Sequence, residues 1–273
     1  GSTMECFGAL DQDGDFTGST VTSSMPVAVF TSNERGAGFG GAEPPGWDTA
    51  GSLCCTDHLE EQMFPITALG WKFVVSRSPV RSTNPANPEP DIYRVLATVD
   101  NTVVTTTLPA PYDSFTLNAG EFKPFHAYDG FVIQAQGGAI MVGQYLVPQD
   151  FVPEGGTGDP TFTIFPAAEQ HRKEYVFLVP RSWDLNYMVL AMPSTASVQI
   201  DGAPIGEFPP NCTVDPIGTL DATSYDALTC ELPEGSHTVT SSLPAGLTVY
   251  GYFSVGSYGY PGGSDVKIIN PVE

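Results

Sequence analysis

The stretch Glu60-Glu61-Gln62-Met63-Phe64-Pro65, followed by Leu69-Gly70-Trp71-Lys72-Phe73-Val74-Val75, returns about a hundred residues later. Its partner is Thr161-Phe162-Thr163-Ile164-Phe165-Pro166, followed by His171-Arg172-Lys173-Glu174-Tyr175-Val176-Phe177-Leu178-Val179-Pro180. Two further blocks repeat in the same order. Tyr93-Arg94-Val95-Leu96-Ala97 answers to Tyr187-Met188-Val189-Leu190-Ala191. Phe131-Val132-Ile133 with Ile140-Met141-Val142-Gly143-Gln144-Tyr145 answers to His237-Thr238-Val239 with Leu247-Thr248-Val249-Tyr250-Gly251-Tyr252. Shared order marks a duplicated unit of about 100 residues, a period longer than that of most solenoids. Ser19-Thr20-Val21-Thr22-Ser23-Ser24-Met25-Pro26-Val27-Ala28-Val29-Phe30 matches only the closing strand pair of such a unit, a partial copy at the front.

Each unit is rich in strand signals. Val103-Val104-Thr105-Thr106-Thr107 is β-branched throughout, and Val198-Gln199-Ile200 alternates before the turn signal Asp201-Gly202. No stretch of 11 residues holds helical apolar spacing; residues 59–63 and 167–171 are expected to form single helical turns. Prolines 65, 79, 109, 124, 166, 180, 193 and 244 fall between the apolar runs, where strands end. The fold class is therefore all-β, as tandem β-sandwich-like units with a leading strand pair expected to complete the first sheet. A propeller-like ring is the alternative. Domain divisions follow at 1–35, 36–150 and 151–273, and residues 33–57 and 201–224 are long enough to be functional loops.

The chain has 273 residues, room for two cores, and 41% hydrophobic residues support folding. Thirty-one acidic residues against 10 basic ones give a net charge of −21. That field repels phosphates and anionic lipid, which argues against nucleic acid and against a charged membrane surface. No apolar run approaches the ~18 residues of a membrane span, so direct membrane insertion is not expected. Gly1-Ser2-Thr3-Met4 reads as a cloning scar, and with the partial front repeat it points to a fragment of a longer chain. Among the five cysteines, Cys212 and Cys230 flank an insertion in the second unit and are expected to be bridged. Cys6 is expected to join Cys54 or Cys55, with a vicinal Cys54–Cys55 bridge as the alternative; the odd count points to a partner cysteine further upstream. Disulfides place the chain outside the cytosol.

Several blocks carry a family resemblance. Cys54-Cys55-Thr56-Asp57-His58-Leu59-Glu60-Glu61-Gln62-Met63-Phe64-Pro65 resembles a block of bacterial members of the IgGFc-binding protein N-terminal domain family. So do Thr22-Ser23-Ser24-Met25-Pro26-Val27-Ala28-Val29-Phe30, Gly158-Asp159-Pro160, and Ser257-Tyr258-Gly259-Tyr260-Pro261-Gly262-Gly263. Together they extend over roughly residues 18 to 268. The resemblance implies a secreted or surface module used in adhesion or matrix contact. It carries no binding site by itself.

Candidate sites are few. Asp11, Asp13 and Asp15 alternate around Gly14 and are oxygen donors of the kind calcium takes, but Phe16 and Thr22 depart from the twelve-residue calcium loop. Asp57, His58, Glu60 and Glu61 form a polar cluster that the second unit lacks, which argues against shared catalysis. Histidines 58, 126, 171 and 237 are scattered and read as surface or edge residues. No nucleophile elbow is present, although paired carboxylates of a glycosidase are not identifiable from spacing along a chain with so many acids. Tyr258 and Tyr260 lie past the last strand, and Trp47 sits in the first long loop; exposed rings on loops favour recognition. The resulting expectation is an extracellular, non-catalytic binding or adhesion module. Its partner would be a cell-surface or matrix protein or glycan, with no cofactor beyond possible calcium. A secreted polysaccharide hydrolase and a passive spacer of a surface fibre are the rival expectations.

Overall fold

The computed structural model describes residues 15–47, 55–207 and 212–271; Cys6, Asp11, Asp13 and Cys54 lie outside them. The chain is all-β, with helix confined to short 3-10 turns. The first sandwich uses β3 (Lys72–Val75), β4 (Asp91–Ala97), β5 (Thr102–Thr106), β6 (Ser114–Leu117), β7 (Phe122–Ala127), β8 (Phe131–Gln136), β9 (Ile140–Leu146) and β10 (Phe162–Phe165). Its two antiparallel sheets have the orders β10-β9-β4-β7 and β3-β8-β5-β6. Alternation is plainest in β5. There Thr102 and Val104 are buried while Val103 and Thr105 are exposed. Phe73, Val75, Tyr93, Val95, Phe125, Phe131, Ile133 and Ile140 fill the space between the sheets.

The second sandwich uses β11 (Arg172–Val179), β12 (Leu185–Pro193), β13 (Val198–Ile200), β14 (Ala203–Pro204), β15 (Cys212–Leu220), β16 (Thr223–Glu231), β17 (Gly235–Phe253) and β18 (Gly256–Pro261). The first half of β17 pairs with β11 and β13, and its second half pairs with β12 and β18. One 19-residue strand thus serves both sheets and joins them into a continuous curved surface. The order β11-β17-β13-β14 copies β3-β8-β5-β6, and β18-β17-β12-β16 copies β10-β9-β4-β7. Asp201 and Gly202, both at positive φ, turn β13 into β14 as their sequence suggests.

Pairing also corrects the alignment of the blocks. Tyr93 faces the first core, whereas Tyr187 faces away from its own; Met188 and Leu190 take the inward places in β12. A one-residue slip reverses the face of every side chain, and only the ladder settles which register holds.

Three other expectations change. Residues 59–63 are not a helical turn but part of β2 (Asp57–Gln62), with Leu59 buried between exposed His58 and Glu60. Pairing with β1 (Phe30–Gly36) overrides local preference there. The front segment is not a strand pair within residues 19–30, because strand begins only at Phe30, and β1 with β2 forms a separate two-stranded sheet rather than completing the first one. The stretch 201–224 is largely strand: β15 pairs with β16, and the Cys212–Cys230 disulfide links directly opposed residues.

The two sandwiches meet along a buried joint. Val74, Val132 and Leu146 of the first pack against Val189, Ala191, Ile217, Leu220, Tyr250 and Tyr252 of the second. Lys72 pairs with Asp221 at the rim. Most polar groups at the joint find partners, although Arg81 Nε is buried without a hydrogen bond. The Tyr250 hydroxyl donates to Gln144 Oε1 at 2.6 Å, and Gln144 Nε2 donates to Asp91 Oδ2 at 2.9 Å. Ser78 donates its N–H and its hydroxyl to the same carboxylate, both at 2.7 Å. Arg81, buried beside Glu89, donates to the carbonyls of Val147 and Gly158 and lies over the Tyr252 ring.

Candidate binding surface

β18 carries the aromatic residues that the sequence singles out. Tyr258 lies opposite Gly251 in the ladder. A Cβ at Gly251 would sit 2.0 Å from the Tyr258 ring, so glycine is what lets that ring lie across the strand. The Tyr258 hydroxyl then donates to Asn186 Oδ1 at 2.8 Å. Tyr260 stacks on Tyr258 with centroids 6.0 Å apart, and its hydroxyl donates to the Leu178 carbonyl on β11. Trp183 stands edge-on to Tyr258 at 4.9 Å and to Phe253 at 6.2 Å. Burial raises the pKa of both tyrosines above the usual range, so these rings stay neutral donors.

These contacts chain into one surface. From Leu178 through Tyr260, Tyr258 and Trp183 to Phe253, each residue touches the next, and all are partly or well exposed. Val176 extends it along the outer face of β11 and is 76% exposed. A shallow groove of ≈ 430 Å³, lined by Leu178, Val179, Pro180, Arg181, Gly235 and Ser236, runs beside it. Rings held by a ladder and by two hydroxyl bonds lose little freedom when a partner lands on them, which is how aromatic anchors serve interfaces. Neither Trp183 nor Phe253 is singled out from the sequence. Trp183 sits in a turn after Pro180 with no motif around it, and only the fold brings it to Tyr258.

The other candidates are placed differently. Trp47 stacks on Phe151 at 4.7 Å and meets Phe39 edge-on, in a cluster with Ala42, Ile92, Val147 and Val152. It anchors the first long loop on the first sandwich. Asp15 is ion-paired with Arg94 at 2.9 Å and bonded by Thr17, which lower its pKa against the effect of burial. Glu61 turns toward Thr163 and Ile164, and burial raises its pKa to about 7. His58 pairs with Glu60 at 3.3 Å on the exposed face of β2. Two histidines read as surface or edge residues are buried. His171 packs against Gly246, and burial lowers its pKa to about 4; His237 bonds Asp201 at 2.7 Å and the Pro233 carbonyl at 2.9 Å. His237 is drawn inward on β17 and His171 at the end of the 3-10 turn before β11, placements that single residues in sequence do not signal. Cys55 is disulfide-bonded, and the other members of its predicted set fall outside the described residues.

A family model described as IgGFc binding protein matches residues 4–251, and the chain belongs to that family. It is a family of extracellular binding modules, with which the Cys212–Cys230 disulfide accords. No curated protein and no solved structure matches the chain. Among the described residues, no helix is long and apolar enough to cross a membrane.

Proposed function

We propose that this chain is a non-catalytic adhesion module that binds a protein partner through the aromatic surface of its second sandwich. The observation that carries the reading is the chain of rings Trp183, Tyr258 and Tyr260, held rigid beside exposed Phe253, Leu178 and Val176. Tyr258 and Tyr260 bind; Trp47 supports a loop. The family's name makes the Fc region of immunoglobulin G the first partner to test, with a matrix or cell-surface protein next. A hydrolase would need carboxylates other than Asp91 and Glu89, which are enclosed and bonded to Ser78, Gln144, Arg81 and Ser82. Linked units in a longer chain would raise avidity through effective concentration.

The test is surface plasmon resonance of the purified chain against Fc and against whole-cell surface proteins. Trp183→Ala and Tyr260→Ala should each weaken saturable binding by about tenfold or more, as expected of central aromatic anchors. Binding unchanged in both variants sinks the assignment of this surface. Repeating the titration with chelator asks whether calcium held by Asp11, Asp13 and Asp15 contributes.

A further inference from the structure

The small β1–β2 sheet is a strand pair with one side open. The Met63 N–H donates to the Val29 carbonyl at 2.9 Å, and the ladder continues as Phe30↔Gln62, Thr31↔Glu61, Ser32↔Glu60 and Asn33↔Leu59. In an antiparallel ladder the bonded pairs alternate, so Thr31 and Asn33 bond toward β2 while Phe30 and Ser32 direct their backbone groups the other way. Among the described residues no strand meets them. Every residue of β1 from Phe30 to Arg35 is exposed, Phe30 at 60%.

The same pair occurs twice more in the molecule. β9 with β10 and β17 with β18 are likewise antiparallel, and all three closing strands run into an aromatic residue and proline: Phe64-Pro65, Phe165-Pro166 and Tyr260-Pro261. In both other copies the strand equivalent to β1 carries an antiparallel neighbour on its far edge, β4 on β9 and β12 on β17. Only β1 lacks one among the described strands.

Side chains on the open side show what fits. Phe30 and Ser32 share a face of β1 with Gln62 and Glu60 of β2, all four exposed, and the register shifts beyond Asn33, where Glu34 and Arg35 form a bulge. That face is acidic around Ser32 and apolar at Phe30, on a chain of net charge −21. The charge disfavours a second copy of the chain and favours a cation-bearing strand.

We infer that the outer edge of β1 accepts an extended basic segment of a partner protein as an added antiparallel strand. Its pattern follows from the regular part of the ladder: lysine or arginine opposite Ser32, where Glu60 shares the face, and an apolar residue opposite Phe30. Main-chain bonds supply affinity, and the alternate side chains supply choice. This edge is separate from the aromatic surface, so either assignment can fail without the other.

The probe is the peptide acetyl-KTKTV-amide, titrated into the isotopically labelled chain and followed by amide exchange and chemical shift. Binding should slow exchange of the Phe30 and Ser32 amides and weaken with salt. Ser32→Pro removes an N–H that β2 does not use, and edge strands tolerate proline. It should leave the β1–β2 shifts in place and weaken the peptide by about tenfold or more, the loss expected for one to two ladder bonds. Three results overturn the inference: no peptide binding, equal binding of acetyl-ETETV-amide, or binding that Ser32→Pro leaves intact. Protection of Ser32 in the peptide-free chain, together with dimerisation in sedimentation, would assign the edge to a second copy instead.

Discussion

Arg81 tests how the two sandwiches are held together. Its side chain is fully enclosed, with Nε 3.5 Å from Glu89, and it donates to Val147 O at 2.8 Å and Gly158 O at 3.2 Å. Both carbonyls belong to the segment that leads from β9 into β10. Arg81→Met keeps the stem and deletes the charge. Glu89 then sits in the interior with two backbone donors, from Arg81 and Ser82, and with Arg77 no closer than 4.0 Å. Breaking a buried pair from one side costs about 3–5 kcal/mol, and the residual pull of Arg77 places this case toward the lower end. In urea that is a midpoint lower by between about 1 and 2 M, taking a slope of about 2–3 kcal/mol/M. Equilibrium unfolding followed by tryptophan emission and circular dichroism reads it directly. The double variant Arg81→Met/Glu89→Gln has no stranded charge, so it should be more stable than Arg81→Met alone by about 1 kcal/mol or more. A single-variant loss below about 1 kcal/mol, or additive losses in the double variant, refutes the reasoning.

Four further outcomes are expected. His171 is held neutral by burial with a pKa of about 4, while the unfolded chain takes up that proton near 6.5. Its contribution is therefore complete above pH 6.5 and is lost as the pH falls toward 4; His171→Leu should flatten that acid slope by about 3 kcal/mol in pH-dependent urea titrations. Glu61 has the opposite sign, since its pKa rises from 4.5 to about 7: its contribution is present below pH 4.5 and lost between 4.5 and 7, so Glu61→Gln should remove a decline across that window. Cys212→Ser with Cys230→Ser opens a cross-link spanning 18 residues and should cost about 3 kcal/mol in chain-entropy terms, measured against the wild type without reductant. Gly251→Ala drives a methyl into the Tyr258 ring and should cost about 1–3 kcal/mol while red-shifting Trp183 emission.

The duplicated blocks were sufficient to locate most strands, because strands with one buried face write their alternation into the sequence. Val103-Val104-Thr105 and Val198-Gln199-Ile200 show this plainly. Register was not legible, since Tyr93 and Tyr187 look alike and face opposite ways. Nor was β2, where local composition favours a turn and a strand 27 residues earlier imposes the ladder. The aromatic surface was half visible. Tyr258 and Tyr260 stand out next to glycines, but Trp183, Phe253 and Leu178 reach them only through the crossing of β11, β12, β17 and β18. Trp47 is a ring in a loop whose packing against Phe39 and Phe151 its sequence neighbours do not announce.

The continuity of β17 has a mechanical meaning. In a sandwich whose sheets are joined only by loops, tension can slide one sheet off the other and leave each ladder whole. Here a single strand is stitched into both, bonded to β11 and β13 along one half and to β12 and β18 along the other. Any pull that parts the sheets must first strip one half of β17 from the two neighbours that hold it. For a module that holds a partner outside the cell, where flow and surface motion apply force, the second sandwich should yield all at once rather than by stages.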